Sequence, residues 1–255
     1  MKIKVLGCSG AEFPGHNPPG FLLDDTMLFD AGTLTNVLNE RAQLKIRHIF
    51  ITHSHLDHIR DITFLADNLI ASPARQKVSV VSIPSVLAAI KRNLLNDLIW
   101  PDFTMIPTVE KAVLGYREVR ENRMVRFGDY RITPIAVNHS VPAVGYLVEE
   151  KTGKSFFYTG DSGPTPTTWK RIGKRQLDVL IIETSFPNRL AELARMTGHL
   201  TASLLRQELQ KLEHLPRKIY ITHPKPQYLR AIETELKKLG FRNLSLLRDG
   251  QTIRM

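Results

Sequence analysis

His53-Ser54-His55-Leu56-Asp57-His58 places four metal-type donors within six residues of a chain that has nine histidines. The run follows Ile49-Phe50-Ile51, an apolar stretch of strand type. His53 and His55, two apart as a strand ends, can turn their imidazoles to one side. Asp57 and His58, adjacent where a helix begins, can point to a second position beside the first. Imidazole nitrogen and carboxylate oxygen are the donors that zinc accepts in tetrahedral or expanded sites. The same residues could be ordinary polar groups at a helix start, but so dense a run of costly, ligand-type side chains favours metal binding.

Three further candidates stand where other β-type segments end. His139 follows Ile132–Asn138, Asp161 follows Phe156–Gly160, and His223 follows Ile219–Thr222. Each alone reads as a loop or cap residue; together they describe a site at one edge of a sheet. Seven donors exceed the needs of one zinc and suit two ions that share a bridging carboxylate and a water. His199, in Thr197-Gly198-His199-Leu200-Thr201, precedes a helix. It is either part of a capping turn or a contact to a phosphoryl oxygen that hands a proton to a leaving group. Lys225 reads as a charge near a phosphate or as a surface lysine, and Glu183 as a supporting base or an ordinary carboxylate. His16, His48 and His214 have no partner pattern and read as structural or exposed. No Gly-x-Ser-x-Gly elbow, Walker A loop or Gly-x-Gly-x-x-Gly run is present, which leaves metal-assisted hydrolysis.

The elements that must carry these residues alternate along the chain. Strands are predicted over Lys2–Leu6, Phe21–Leu23, Met27–Phe29, His48–Thr52 and Val78–Ile83, with Asp24-Asp25 as a turn. Several β segments lie between Val109 and Phe157, the clearest being Arg131–Val137, Gly145–Glu149 and Ser155–Tyr158, the last two joined at Thr152-Gly153. Asp178–Ile182, Lys218–Thr222, Leu244–Leu247 and Thr252–Arg254 complete the strands. Helices are predicted over Thr33–Glu40, Asp57–Ala71, Ser85–Leu95, after Pro164, over Thr201–Leu212 and over Pro226–Leu239. With no linker and no repeat, residues 1–255 read as one domain with two mixed sheets inside and helices outside.

Composition bounds the rest. The chain has 255 residues, 42% apolar and 24% charged, with 15 glycines and 15 prolines, which excludes collagen-like and disordered classes. Its single cysteine, Cys8, excludes an intrachain disulfide and a cysteine-based zinc cluster. No window approaches the ~18 consecutive apolar residues of a membrane helix, and the opening Met1-Lys-Ile-Lys-Val-Leu lacks the pattern of a secretory signal. A soluble cytoplasmic protein is expected. The net charge of +10 favours anionic partners. The basic stretches Arg117–Arg131 and Lys170–Arg175 read as solvated faces, without the aromatic interleaving of a single-strand platform.

The set His53-x-His55-x-Asp57-His58, His139, Asp161, His223, in that order, resembles the metallo-β-lactamase superfamily. Asp30-Ala-Gly32 after a hairpin and the terminal Asp249-Gly-Gln-Thr-Ile-Arg254 are similar to its structural turn and last strand. The resemblance covers essentially the whole chain. It implies an α/β fold, a four-layer αββα sandwich of two mixed sheets. It also implies two divalent ions, zinc with manganese or iron as alternatives. By the same resemblance His53, His55 and His139 hold one ion, Asp57, His58 and His223 the other, and Asp161 bridges them. His55-Leu-Asp-His58-Ile59, Asn68–Pro73, Ile182-Glu-Thr-Ser-Phe-Pro-Asn188, Gly198-His-Leu-Thr201 and Ile221-Thr-His-Pro-Lys-Pro226 are similar to the class II cyclic-nucleotide phosphodiesterases. Arg60-Asp61, where small residues are usual, and Pro224, where a larger one is usual, depart from that pattern.

The resemblance implies cleavage of 3′,5′-cyclic nucleotides to 5′-monophosphates by a metal-bridging hydroxide. Asp57 and His199 are the catalytic candidates, and His199 assists the departing alkoxide. A ribonuclease Z-like nuclease is the alternative, since ribonuclease Z has a similar His-x-Thr element, though its long tRNA-gripping insertion has no counterpart here. Lactone, thioester or β-lactam hydrolysis comes third, and a basic nucleic-acid-binding protein with structural metals is the non-enzymatic reading. The expected partner is a small phosphodiester, with nucleic acid as the alternative, no membrane, and homodimerisation open.

Overall fold

The computed structural model describes residues 1–73 and 76–255. The chain begins with strands β1 (Lys2–Gly7), β2 (Gly20–Leu23) and β3 (Met27–Phe29), then a short helix α1 (Glu40–Gln43) and β4 (His48–Phe50). Helices α2 (Leu56–Ile59) and α3 (Asp61–Ala71) lead to β5 (Val78–Ser82), α4 (Pro84–Asn93) and β6 (Leu114–Glu118). There follow β7 (Val125–Phe127), β8 (Tyr130–Ala136), β9 (Val144–Glu150), β10 (Ser155–Tyr158), α5 (Pro166–Ile172) and β11 (Val179–Glu183). The last part holds α6 (Ala191–Thr197), α7 (Ala202–Leu209), β12 (Lys218–Thr222), α8 (Leu229–Lys238), β13 (Leu244–Leu246) and β14 (Thr252–Arg254).

The strands form two seven-stranded sheets, ordered β14-β1-β2-β3-β4-β5-β6 and β13-β12-β11-β10-β9-β8-β7. Each is mixed in the same way. In the first, β14 to β3 pair antiparallel and β3 to β6 parallel; in the second, β7 to β10 pair antiparallel and β10 to β13 parallel. The two-residue side-chain period of a strand explains how fully apolar runs are used. Phe156 and Tyr158 of β10 and Val179 and Ile181 of β11 face the first sheet, while Phe157, Leu180 and Ile182 between them pack with Trp169, Leu205 and Ile232 of the helices. Rings lock the sheets together: Phe29 meets Tyr146 and Phe156 edge-on at 5.7 and 5.6 Å, and Phe21 meets Tyr158 at 4.8 Å. This is the expected arrangement of two mixed sheets with helices.

Local departures from expectation have physical causes. The helix expected over Thr33–Glu40 is absent; turns fill that stretch and α1 starts only after Asn39, whose Oδ1 caps Ala42 N at 3.0 Å. The amides of Leu34 and Thr35 donate to the buried Asp61 Oδ2, at 2.6 and 2.9 Å, so a distant carboxylate fixes the path of this stretch. Asp61, half of the unusual Arg60-Asp61 pair, therefore organises this loop. Arg60 donates to Gly32 O at 2.7 Å and pairs with Glu12. The helix expected over Asp57–Ala71 is two pieces that meet at Arg60, and α6 was not anticipated.

Gly32 lies so close to the start of α2 that an added Cβ would sit 1.8 Å from Asp57 O. Gly32→Ala is therefore expected to push α2 and its donors outward. Calorimetry should show a lower melting temperature, with about 1–3 kcal/mol lost to overpacking.

Candidate metal centre

Each donor emerges where a strand ends, and the strand ends lie along one edge of the two sheets. His53 and His55 follow β4, and Asp57 and His58 sit on α2. His139 follows β8, Asp161 follows β10, and His223 follows β12 with a left-handed φ of 63°. Gly160 brings Asp161 past Thr52, where a Cβ would lie 2.7 Å from the threonine side chain, at a φ of 61°.

All seven predicted donors come together. One ligand atom from each of His53, His55, His139 and Asp161 falls within a mutual 4.8 Å, as do those of Asp57, His58 and His223. Asp161 lies between the sets: Oδ1 is 3.4 Å from His58 Nε2, and Oδ2 is 3.3 Å from His223 Nε2 and 3.8 Å from His53 Nε2. His53 Nε2, His58 Nε2 and Asp161 Oδ1 are buried without any hydrogen-bond partner. Buried polar atoms are nearly always paired, so three orphans facing one another fit a cation, and the nitrogen–oxygen donor set fits a divalent one.

The outward nitrogens of His53, His58, His139 and His223 are tied down, which aims their opposite nitrogens inward. His58 Nδ1 donates to Asp30 Oδ2 at 2.8 Å, and Tyr158 Oη donates to the same oxygen at 2.6 Å. Thr52 holds the other Asp30 oxygen through its amide at 2.8 Å. His53 Nδ1 meets Thr52 Oγ1 at 3.0 Å, His139 Nδ1 donates to Gly198 O at 2.9 Å, and His223 Nδ1 meets Ser185 Oγ at 2.9 Å. Such partners fix tautomer and ring orientation. Sequence reasoning took Asp30 only as a turn residue and missed Ser185. The available signal for the first was its place, an acid directly after the apolar run Met27-Leu28-Phe29.

Burial and mutual repulsion hold His53 well below the ordinary histidine range, and burial lowers His55 and His139. Burial also opposes charge on His58, but Asp161 and Asp30 overcome it and raise that group well above its usual value. Asp57 and Asp161 are both held low despite burial, by His223 and His58.

His199 joins the cluster from the turn before α7, within a mutual 4.8 Å of Asp161 and His223. It does not cap the helix; Thr201 does. Its Nδ1 is 2.6 Å from Glu183 Oε1, a carboxylate that is fully buried at the end of β11. Glu183 also accepts from Ser185 Oγ at 2.9 Å and Leu200 N at 3.2 Å. Burial would lower His199, but Glu183 raises it to about 8. Lys225 Nζ is spent on Gly10 O. Among the histidines outside the cluster, His48 packs edge-on against Phe127 at 4.9 Å. Arg117 of the basic stretch, though exposed, stacks over that same Phe127 ring at 4.0 Å.

Two mixed sheets with a histidine–carboxylate cluster along one edge define a metallo-β-lactamase-type architecture. Residues 26–223 match the family model described as the beta-lactamase superfamily domain, and the chain belongs to the metallo-β-lactamase superfamily. It is 29% identical over 208 residues to a "Probable 3′,5′-cyclic-nucleotide phosphodiesterase" of Yersinia pestis, covering 72% of this chain and 58% of that one. It is 32% identical over 197 residues to "Ribonuclease Z" of Thermococcus kodakarensis, covering 71% of this chain and 59% of the other. The chain thus spans about three fifths of the length of these two relatives. In shape it is similar to the crystal structure of unliganded yeast PDE1, with a TM-score of 0.83, 16% identity, and coverage of 100% and 99% of the two chains. Among the described residues, no helix is long and apolar enough to cross a membrane.

Asp30→Asn keeps the shape of this support but removes the charge that anchors His58. Chelator competition should show metal affinity lower by about 10–100-fold, with the melting temperature of the metal-free protein changed far less.

Proposed function

We propose that the chain is a cytoplasmic phosphodiester hydrolase that converts 3′,5′-cyclic nucleotides to 5′-monophosphates, with residues 1–255 acting as one domain. In this reading two divalent ions, zinc with manganese or iron as substitutes, are held by His53, His55 and His139 on one side and Asp57, His58 and His223 on the other, with Asp161 shared. The observation that carries it is the trio of unpartnered buried atoms on His53, His58 and Asp161 with a Glu183-held His199 beside them. Bound there, the ions would supply Lewis-acid polarisation of the phosphoryl group and lower the pKa of water toward neutrality.

The chain's own groups do the rest. Asp57, held ionised by His223 and His58 and with its side chain 32% exposed, orients the attacking water by accepting a hydrogen bond from it. His199 Nε2, on a ring fixed and charged by Glu183 at Nδ1, donates to the departing 3′ oxygen. The buried Thr52, Asp30 and Ser185 keep the histidine rings aimed.

The ribonuclease Z relatives and the net charge of +10 favour a second reading, cleavage of RNA. A panel of cyclic AMP, cyclic GMP, precursor tRNA and a bis-aryl phosphate, run with zinc- and manganese-loaded protein, orders the two. Turnover of cyclic nucleotides to 5′-monophosphates supports the first; cleavage of precursor tRNA alone replaces it with the second.

A further inference from the structure

At the end of the sandwich where β13 and β14 are the edge strands lies a cavity of about 810 Å³, within the range that takes small molecules. One wall is the face of α8 that presents Leu229 and, two turns on, Leu236; another is the edge strand β13 with Leu246, and Phe241 lies between them in sequence. Leu236, Phe241 and Leu246 pack onto the core under the helices, so the cavity is a gap where that core reaches the open edge. The opposite wall is the segment Cys8-Ser9. The next residue, Gly10, runs so close to His223 that a Cβ there would lie 2.7 Å from its Nδ1. One thickness of chain therefore separates the cavity from the metal centre, tied by His223 N to Cys8 O at 2.6 Å and Gly10 N to Pro224 O at 3.1 Å.

The charges along the cavity are mostly spent. Lys237 is paired with Glu233 at 3.1 Å, and the Asp249 carboxylate accepts from Cys8 N at 3.1 Å and Asn17 N at 2.9 Å. Arg248 is exposed and, among the described residues, has no ion-pair partner. A leucine-bearing wall with one unpaired guanidinium beside it complements an apolar chain that ends in one negative charge.

We propose that this cavity binds an amphiphilic monoanion, a carboxylate on a medium-length alkyl chain, with the chain against Leu229, Leu236 and Leu246 and the head at Arg248. The site is distinct from the metal centre and does not depend on the phosphodiester reading.

Calorimetric titration of the metal-replete full chain with octanoate, and with octanol as the uncharged control, tests it. The wild type should bind one octanoate per chain. Leu246→Trp, which fills the cavity, should weaken binding of both probes by about tenfold or more. Arg248→Ala, a surface change that leaves the fold intact, should weaken octanoate about threefold and leave octanol unchanged. Absence of saturable binding to the wild type, or binding unaltered in both variants, would overturn the proposal.

Discussion

Asp161→Ala is expected to retain fewer than two divalent ions per chain and to lose turnover of a bis-aryl phosphate by more than about a hundredfold. Partners that merely orient a ligand cost 10–100-fold when removed, and Asp161 stands closer to the chemistry than they do. Its two oxygens face His53, His58 and His223, donors drawn from both sets. Alanine removes the carboxylate that faces both sets and leaves His53, His55 and His139 with no anionic donor among them. Elemental analysis of the purified variant, beside the wild type, reads the first effect, and steady-state kinetics reads the second. Full metal content with full activity would show that the carboxylate does not join the two sets.

His199→Ala should behave differently. Turnover of a cyclic nucleotide is expected to fall by about 10²–10⁴-fold, the range for general acid–base catalysis, while metal content stays at the wild-type level. A substrate that leaves as a stable nitrophenolate needs no proton and should lose much less. The sign of the pH dependence follows from Glu183, whose carboxylate 2.6 Å away raises His199 to about 8 against the effect of burial. The imidazolium that donates is present below that value, so the rate should decline as pH rises through it. Glu183→Gln removes the charge that raises the group, so the decline should begin at lower pH. Loss of metal from His199→Ala would instead make the residue a ligand, and an unmoved profile in Glu183→Gln would remove the acid role.

The donors themselves were legible in the sequence because a metal site at strand ends needs many costly side chains, and a run such as His53–His58 has no cheaper explanation. What spacing alone left open was which donors meet. That depends on loops whose paths are set by tertiary contacts, such as Gly160 against Thr52 and Gly10 against His223. The supporting residues were hidden for the same reason. Asp30 anchors a histidine 28 positions away, and Ser185 reaches His223 38 positions on, separations at which no periodic pattern operates. The helix expected over Thr33–Glu40 is the converse case: Thr, Asn and Val are weak helix formers, and Asp61, 27 positions from Leu34, fixes the path of that stretch through two of its amides. Strand segments were legible nearly throughout, since runs such as Ile181-Ile182 serve two cores at once and must be apolar on both faces.

The most direct test is anomalous scattering from crystals of zinc-loaded protein, collected on either side of the zinc absorption edge. Two peaks are expected, one within ligand distance of His53, His55 and His139 and one within ligand distance of Asp57, His58 and His223, with Asp161 touching both. A map with no peak at this edge of the sheets, or with zinc bound elsewhere on the chain, would contradict the account.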